Sequence, residues 1–188
     1  MFDNKIIKEI FSEIIKMTTV DLGYLMFQSA TLFTYYHELG HLIQYRKLSD
    51  FEQFENSFSD DFNLIKNINE LDADLNGVGN MLFHIIEYFE DLENKINSKI
   101  LIENLISISL SSLLISRLLI EDFDQNSTLS KIYFKEKSHP HSLVRIIYMF
   151  DHLLINIQQN LPNIFVDYKA ILENSFTLTK VYFQNKSL

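Results

Sequence analysis

The sequence contains no cysteine, few glycines and prolines, and no cluster of basic residues. Without cysteine the chain forms no disulfide and offers no thiolate to a metal, so His, Asp and Glu are the residues left to bind one. The absence of disulfides is compatible with the cytoplasm, where we expect the protein to be located. Because Lys and Arg do not cluster and the formal net charge is −9, we expect no nucleic-acid partner.

Two segments bear on membrane association. Residues 1–5 lack the basic start, apolar centre and small-residue cleavage site of a signal peptide. The most apolar stretch, residues 105–120, includes several serines and Arg117. It is also shorter than the ~20 apolar residues that cross a bilayer. We therefore predict a buried core helix there and no membrane partner, with a membrane-associated hairpin as the alternative.

The scarcity of glycine (4) and proline (2), together with abundant leucine and isoleucine, predicts long helices with short connections. The 188 residues suffice for one domain with a sizeable core, and 47% of them are hydrophobic, as in globular proteins. No repeat or linker divides the chain, so we expect a single domain over residues 1–188. The predicted fold is mainly α, a compact bundle of about five to six helices with at most a small β element.

The spacing of apolar residues predicts helices at residues 4–17, 29–47, 67–93, 99–121, 140–159 and 163–183. Residues 18–25 are rich in β-forming residues, which predicts a short strand or an extended entry to the next helix. Residues 51–67 alternate phenylalanines with polar and acidic residues and are predicted to form a loop. Gly77 and Gly79 predict that their helix approaches the preceding one closely.

The sequence His37-Glu38-Leu39-Gly40-His41 lies within the second of these predicted helices. Residues four apart share one helix face, so His37 and His41 can place two ring nitrogens on one zinc ion. Glu38 is turned roughly 100° from His37 and can reach a water at an open position without being a ligand. Two nitrogen ligands, an open position and a nearby base are what a hydrolytic zinc site needs.

Such a site needs a third protein ligand. The H-E-x-x-H-x-x-G-x-x-H arrangement does not supply it, because the chain has Gln44 at the glycine position and Lys47 at the third histidine position. A glutamate on the following helix is the other known solution, and Glu70 is the best candidate. The alternative for Glu70 is an acidic residue favoured at a helix N-terminus by the helix dipole.

Asp74 follows Glu70 by four residues and therefore shares its helix face. A histidine that binds a metal usually donates its other ring N–H to a carboxylate or carbonyl. Asp74 is predicted to accept that hydrogen bond from one of the two histidines, and a solvated acid is the alternative. Asp72, two residues from either carboxylate, is expected to point elsewhere.

A second group of candidates lies in the segment Ser138-His139-Pro140-His141-Ser142-Leu143-Val144-Arg145. His139 precedes a predicted helix start, and Arg145 lies within the first turns of that helix. In a site that builds an oxyanion on a scissile carbonyl, either side chain could donate a hydrogen bond to the oxyanion. The alternatives are a helix cap for His139 and a structural ion pair with a buried acid for Arg145.

The motifs H-E-L-G-H, E-L-D-A-D and S-H-P-H-S-L-V-R, in this order, resemble those of the gluzincin metallopeptidases. The pattern is similar to that of the HtpX/CAAX-prenyl endopeptidases, the small soluble gluzincins and the phage-exclusion Lit-like proteases. The resemblance implies one zinc ion per chain and a site built from residues of these motifs: zinc ligands His37, His41 and Glu70, general base Glu38, supporting Asp74, and His139 and Arg145 beside the active site.

We therefore predict a zinc-dependent endopeptidase whose substrate is a protein or peptide. Peptidases of this group generally hold the substrate backbone on an edge strand, and residues 18–27 are the candidate for it. One alternative is a catalytically weak or inactive zinc-stabilised interaction or regulatory module of the same fold. Another is a helical protein that binds no metal.

Overall fold

The structure is a computed structural model that describes residues 4–17, 21–48, 62–92, 98–123, 140 and 142–186. These residues form the helices α1 (Lys5–Ile10), α2 (Ser12–Met17), α3 (Leu22–Leu48), α4 (Phe62–Leu92), α5 (Ser98–Phe123), α6 (Ser142–Asn160) and α7 (Tyr168–Lys186). No strand occurs among the described residues, so the predicted mainly α fold is confirmed. The first predicted helix is divided at Phe11 into α1 and α2, which adds one helix to the expected number.

α5 is the central helix of the bundle. Every residue from Leu101 to Ile115 is buried, and α5 contacts α2, α3, α4, α6 and α7. Among the described helices, only the window Lys99–Arg117 of α5 is long and apolar enough to cross a membrane, and 83% of that window is buried inside the fold. The predicted core helix is therefore confirmed.

Buried serines lie where α7 packs on α5. Oγ of Ser111 donates to the carbonyl oxygen of Ser175 at 3.0 Å, and Oγ of Ser175 donates to the carbonyl oxygen of Ser107 at 3.2 Å. Each of the three hydroxyls also donates to the carbonyl oxygen four residues earlier in its own helix. These small side chains let the two helix backbones approach closely, and their hydroxyls are all paired.

The predicted strand is wrong for the part of it that the structure describes. α3 begins at Leu22, and Asp21 caps it by accepting a hydrogen bond from the backbone N–H of Gly23 at 2.7 Å. The buried residues that follow have the three-and-four spacing of a helix, not the alternation of a strand: Leu22, Leu25, Met26, Ser29 and Phe33. Residues 22–27 of the candidate edge strand are thus helical, and residues 18–20 lie outside the described part.

α4 begins earlier than predicted. Residues 62–67, expected to belong to a loop, form its first turns, and no glycine or proline interrupts them. The rest of that predicted loop, residues 51–61, lies outside the described residues.

Glycine allows α3 and α4 to approach closely. A Cβ added at Gly77 of α4 would lie 3.0 Å from the carbonyl oxygen of Phe33 on α3. A Cβ added at Gly40 of α3 would lie 3.1 Å from the backbone of α4. The predicted close approach is confirmed at Gly77, but Gly79 faces a side chain of α6 instead, at an ordinary contact distance of 3.7 Å.

α4 contacts both α3 and α6, so side chains from three helices can meet along it. α6 begins at Ser142, shortly after Pro140, and carries Arg145 into the interior on its first turn. α7 begins later than predicted, at Tyr168, because Asp167 caps it by accepting a hydrogen bond from the N–H of Ala170 at 3.1 Å.

Candidate metal centre

The two histidines of the H-E-x-x-H sequence lie one turn apart on α3, with their Nε2 atoms 3.1 Å apart. Glu70 of α4 faces both of them. Its Oε1 is 3.3 Å from Nε2 of His41, and its Oε2 is 3.8 Å from Nε2 of His37. Three side chains from two helices therefore direct their ligand atoms to one point.

The spacing of these atoms fits a tetrahedral zinc ion. Bonds of about 2.0–2.1 Å in a tetrahedron place neighbouring ligand atoms about 3.3–3.4 Å apart. The two ring nitrogens are 3.1 Å apart, and their contacts to the two oxygens of Glu70 are 3.3 and 3.8 Å, so small side-chain movements would bring both nitrogens and one carboxylate oxygen onto one ion. Within the described part of the chain, this is the one group of three metal-binding side chains with such geometry.

Asp74 lies on the Nδ1 side of the His37 ring, whereas Nε2 of that ring faces His41 and Glu70. It is fully buried, and its Oδ1 is 3.0 Å from Nδ1 of His37. This distance is that of a hydrogen bond, although the N–H direction of the buried Nδ1 is not well aligned with an acceptor. We assign the proton to Nδ1 because a lone pair there would face a carboxylate oxygen and be repelled. Asp74 thus occupies the place expected of a residue that orients a ligand.

Two arginines neutralise Asp74. Arg145 of α6 donates to it through Nε at 2.6 Å and Nη2 at 2.8 Å, and Arg117 of α5 donates through Nη2 at 2.8 Å. Arg145 also contacts Oε2 of Glu70 with Nη1 at 3.0 Å. The planar guanidinium group therefore ties the candidate ligand carboxylate to the buried carboxylate.

The charges of this cluster depend on one another. Burial alone would raise the pKa of Asp74, but the hydrogen bond from His37 and the charges of Arg145 and Arg117 outweigh burial and lower that pKa below its usual value. Burial lowers the pKa of Arg117, and the nearby Arg145 adds to this, while Asp74 and Glu70 oppose it. Asp74 is therefore ionised at neutral pH and pairs with both guanidinium groups, and Glu70 supplies a second negative charge beside Arg145.

Gln44 lies behind His41, one turn further along α3. Its Oε1 is 3.0 Å from Nδ1 of His41. Its Nε2 donates to the backbone carbonyl oxygen of Asn69 at 2.8 Å and to Oδ2 of Asp72 at 3.0 Å. As expected, Asp72 does not face the histidines, but it accepts a hydrogen bond from Gln44, which contacts His41.

The structure brings together most of the predicted site residues: His37, His41, Glu70, Asp74 and Arg145. Glu38 follows His37 on the same helix, and its side chain is exposed to solvent. His139, predicted to lie beside the site, falls outside the described residues.

Sequence reasoning missed two residues of the site. The sequence held a signal for Arg117: it is the lone cation in the most apolar stretch of the chain, and a cation buried there requires an acidic partner. Gln44 lies three residues after His41 and so shares its helix face, but its contact with the ring depends on where α4 passes.

No family model matches the chain, and neither the curated proteins nor the solved structures contain a match. The resemblance to gluzincins therefore rests on the motifs alone. The function has to be argued from these residues and their geometry.

Proposed function

We propose that the protein is a zinc-dependent endopeptidase in which His37, His41 and Glu70 bind the metal and Glu38 is the general base. The observation that carries this proposal is the convergence of two ring nitrogens and a carboxylate on one point. The motif order, with its resemblance to gluzincins, supports the choice of peptide hydrolysis as the reaction.

The protonation of the two rings follows from their neighbours. Nδ1 of His37 faces a carboxylate oxygen of Asp74, and Nδ1 of His41 faces the amide oxygen of Gln44. Neither oxygen carries a hydrogen, so each favours a hydrogen on the Nδ1 atom that faces it, and a metal bound at the Nε2 atoms would require that same tautomer. In that tautomer both Nε2 atoms would present lone pairs, 3.1 Å apart and facing Glu70. A cation between these three acceptors would remove their mutual repulsion.

Zinc suits this set of ligands better than the other common cations. Two imidazoles and one carboxylate, without thiolate, are the ligands of catalytic zinc sites that keep a fourth position open. Magnesium and calcium prefer sites made only of oxygen atoms. When bound, zinc would polarise a substrate carbonyl and lower the pKa of a water molecule toward ~7.

The residues around the metal ligands would divide the remaining work. Glu38, exposed beside His37, would accept a proton from the attacking water and deliver it to the leaving amine. Arg145 would hold Glu70 in place, since its three guanidinium nitrogens all contact carboxylates. A hydrogen bond from His139 or Arg145 to the oxyanion stays a prediction.

One observation favours a second candidate, a zinc-stabilised interaction module without strong catalytic activity. The segment predicted to hold a substrate backbone is helical over residues 22–27, and the described residues include no strand. An endopeptidase of this fold would have to bind its substrate on another surface, whereas an interaction module needs no such strand.

The two candidates are separated by comparing the wild type with Glu38→Gln in an assay of peptide hydrolysis. For the peptidase, the variant keeps its zinc and its helical fold but loses activity by roughly 10²–10⁴-fold, the contribution of a general base. Glu90→Gln, an exposed glutamate of α4, is the matched control and should remain fully active. Full activity of Glu38→Gln would refute the mechanism, and an inactive wild type that binds zinc would favour the interaction module.

A further inference from the structure

The two candidate ligands on α3 differ in the group that supports them. His37 has a charged carboxylate behind it, Asp74, whereas His41 has a neutral amide, Gln44. We propose that Gln44 is a positioning residue that fixes His41 in the Nδ1–H tautomer and so directs its Nε2 lone pair to the metal. The link to the metal rests on the proposed zinc site, but the tautomer itself does not.

An amide alone would not select a tautomer. A glutamine side chain can turn by 180° and present its NH₂ group to Nδ1, which would favour the Nε2–H form of the ring and leave no lone pair for a metal. The neighbours of Gln44 exclude that orientation. Its Nε2 lies 2.8 Å from the carbonyl oxygen of Asn69 and 3.0 Å from Oδ2 of Asp72. Turning the amide would place three acceptor oxygens together with no hydrogen between them.

The position of these acceptors links His41 to the third candidate ligand. Asn69 directly precedes Glu70 on α4, and Asp72 follows it by two residues. Gln44 therefore connects a ligand on α3 to the turn of α4 that carries the carboxylate ligand. The bond to Asp72 is charge-assisted and so stronger than one between neutral groups. In the metal-free protein the competing acceptor is Glu70, whose Oε1 lies 3.3 Å from Nε2 of His41, and the fixed amide of Gln44 opposes the Nε2–H form that Glu70 would favour.

The first test measures the tautomer of His41 in the zinc-free protein by ¹⁵N NMR of the imidazole nitrogens, at a pH where the ring is neutral. In the wild type we expect the hydrogen on Nδ1. In Gln44→Met, which keeps the length of the side chain but removes the amide, we expect a mixture of both tautomers. Gln28→Met, an exposed position on the same helix, is the matched control and should leave His41 unchanged.

The second test measures zinc affinity by competition with a chromophoric chelator. Gln44→Met should bind zinc about 10–100-fold more weakly, the usual effect of removing a group that supports a ligand. Asp72→Asn keeps an acceptor oxygen for Gln44 and should bind like the wild type. Asp72→Leu removes that acceptor but leaves the carbonyl oxygen of Asn69, so its loss should be smaller than that of Gln44→Met.

The outcomes separate this inference from the proposed zinc site. A wild-type His41 in the Nε2–H form, or one whose tautomer is unchanged in Gln44→Met, would overturn the inference even if zinc binds. A wild type that shows the expected tautomer but binds no zinc would refute the zinc site and leave the role of Gln44 intact. If Gln44→Met does not fold, as judged by circular dichroism, the tautomer of His41 in Asp72→Leu against Asp72→Asn decides the question.

Discussion

The bundle buries polar side chains at several places, and two of these places differ in their chemistry. In the serine seam between α5 and α7, the buried groups are the hydroxyls of Ser107, Ser111 and Ser175, and all of them donate to backbone carbonyl oxygens. In the charged seam, where α3, α4, α5 and α6 meet, they are imidazoles, carboxylates and guanidinium groups: His37, His41, Glu70, Asp74, Arg117 and Arg145.

Both seams join helices, but the groups of the charged seam are also of the kind that bind cations. A hydroxyl bonded to its own helix needs no further partner. In the charged seam, the carboxylates of Asp74 and Glu70 contact the two arginines, and the Nε2 atoms of His37 and His41 lie 3.1 Å apart beside Glu70. Burying ions costs several kcal/mol each, and the serine seam joins its helices without them. We therefore propose that the charged seam binds a cation.

The largest effect is expected from Asp74→Asn in the charged seam. The substitution removes the one fully buried anion that both Arg145 and Arg117 contact and leaves two guanidinium groups poorly compensated. We expect a loss of about 3–5 kcal/mol in the free energy of unfolding, measured by urea denaturation. Replacing Asp74, Arg117 and Arg145 together by apolar residues of similar volume should recover much of that loss. A loss in Asp74→Asn below about 1 kcal/mol would show that the arginines do not depend on this carboxylate.

The same carboxylate predicts a dependence of stability on pH. The pKa of Asp74 is lower in the folded protein than the ordinary value of 3.8, so on acidification the unfolded chain takes up this proton first. The stabilisation is complete above the ordinary value and is lost as the pH falls toward the folded-state pKa. As the pH falls below about 4, the wild type should therefore lose stability more steeply than Asp74→Asn in a series of urea titrations. Equal slopes would contradict the assignment of a lowered pKa to Asp74.

An intermediate effect is expected where glycine sets the distance between α3 and α4. Gly79→Ala has ordinary contact space and should stabilise the protein by up to about 1 kcal/mol, the difference between the two residues in a helix. Gly77→Ala meets the Phe33 carbonyl oxygen at 3.0 Å and should destabilise it by about 1–2 kcal/mol. Thermal unfolding compares the pair directly. Stabilisation by both substitutions would mean that the two helices can separate without loss.

The smallest effect is expected in the serine seam. Ser111→Ala removes a donor but leaves carbonyl oxygens that remain bonded within their helices, so the loss should be at most about 1 kcal/mol. Zinc affinity should not change, because Ser111 contacts none of the candidate ligands. A measurable drop in zinc affinity in this variant would contradict the division of the molecule into two independent seams.

The parts of the site that could be predicted are those that a single helix determines. The spacing of His37 and His41, and that of Glu70 and Asp74, places each pair on one face wherever the helix lies. Long helices followed in the same way from the scarcity of glycine and proline. These inferences need no knowledge of how the helices pack.

The parts that were missed depend on which helices meet. The contact of Arg117 with Asp74 joins α5 to α4. Gln44 can support His41 because two hydrogen bonds to α4 fix the orientation of its amide. The strand predicted before α3 was wrong because β-forming composition is a weaker signal than the helical spacing of buried residues that follows Asp21.

The most direct test of the account is a crystal structure of the zinc-loaded protein with an anomalous difference map at the zinc absorption edge. We expect one peak bonded to Nε2 of His37, Nε2 of His41 and a carboxylate oxygen of Glu70, with Arg145 still bound to Asp74. A map without a peak at these residues, or with zinc held by other side chains, would contradict it.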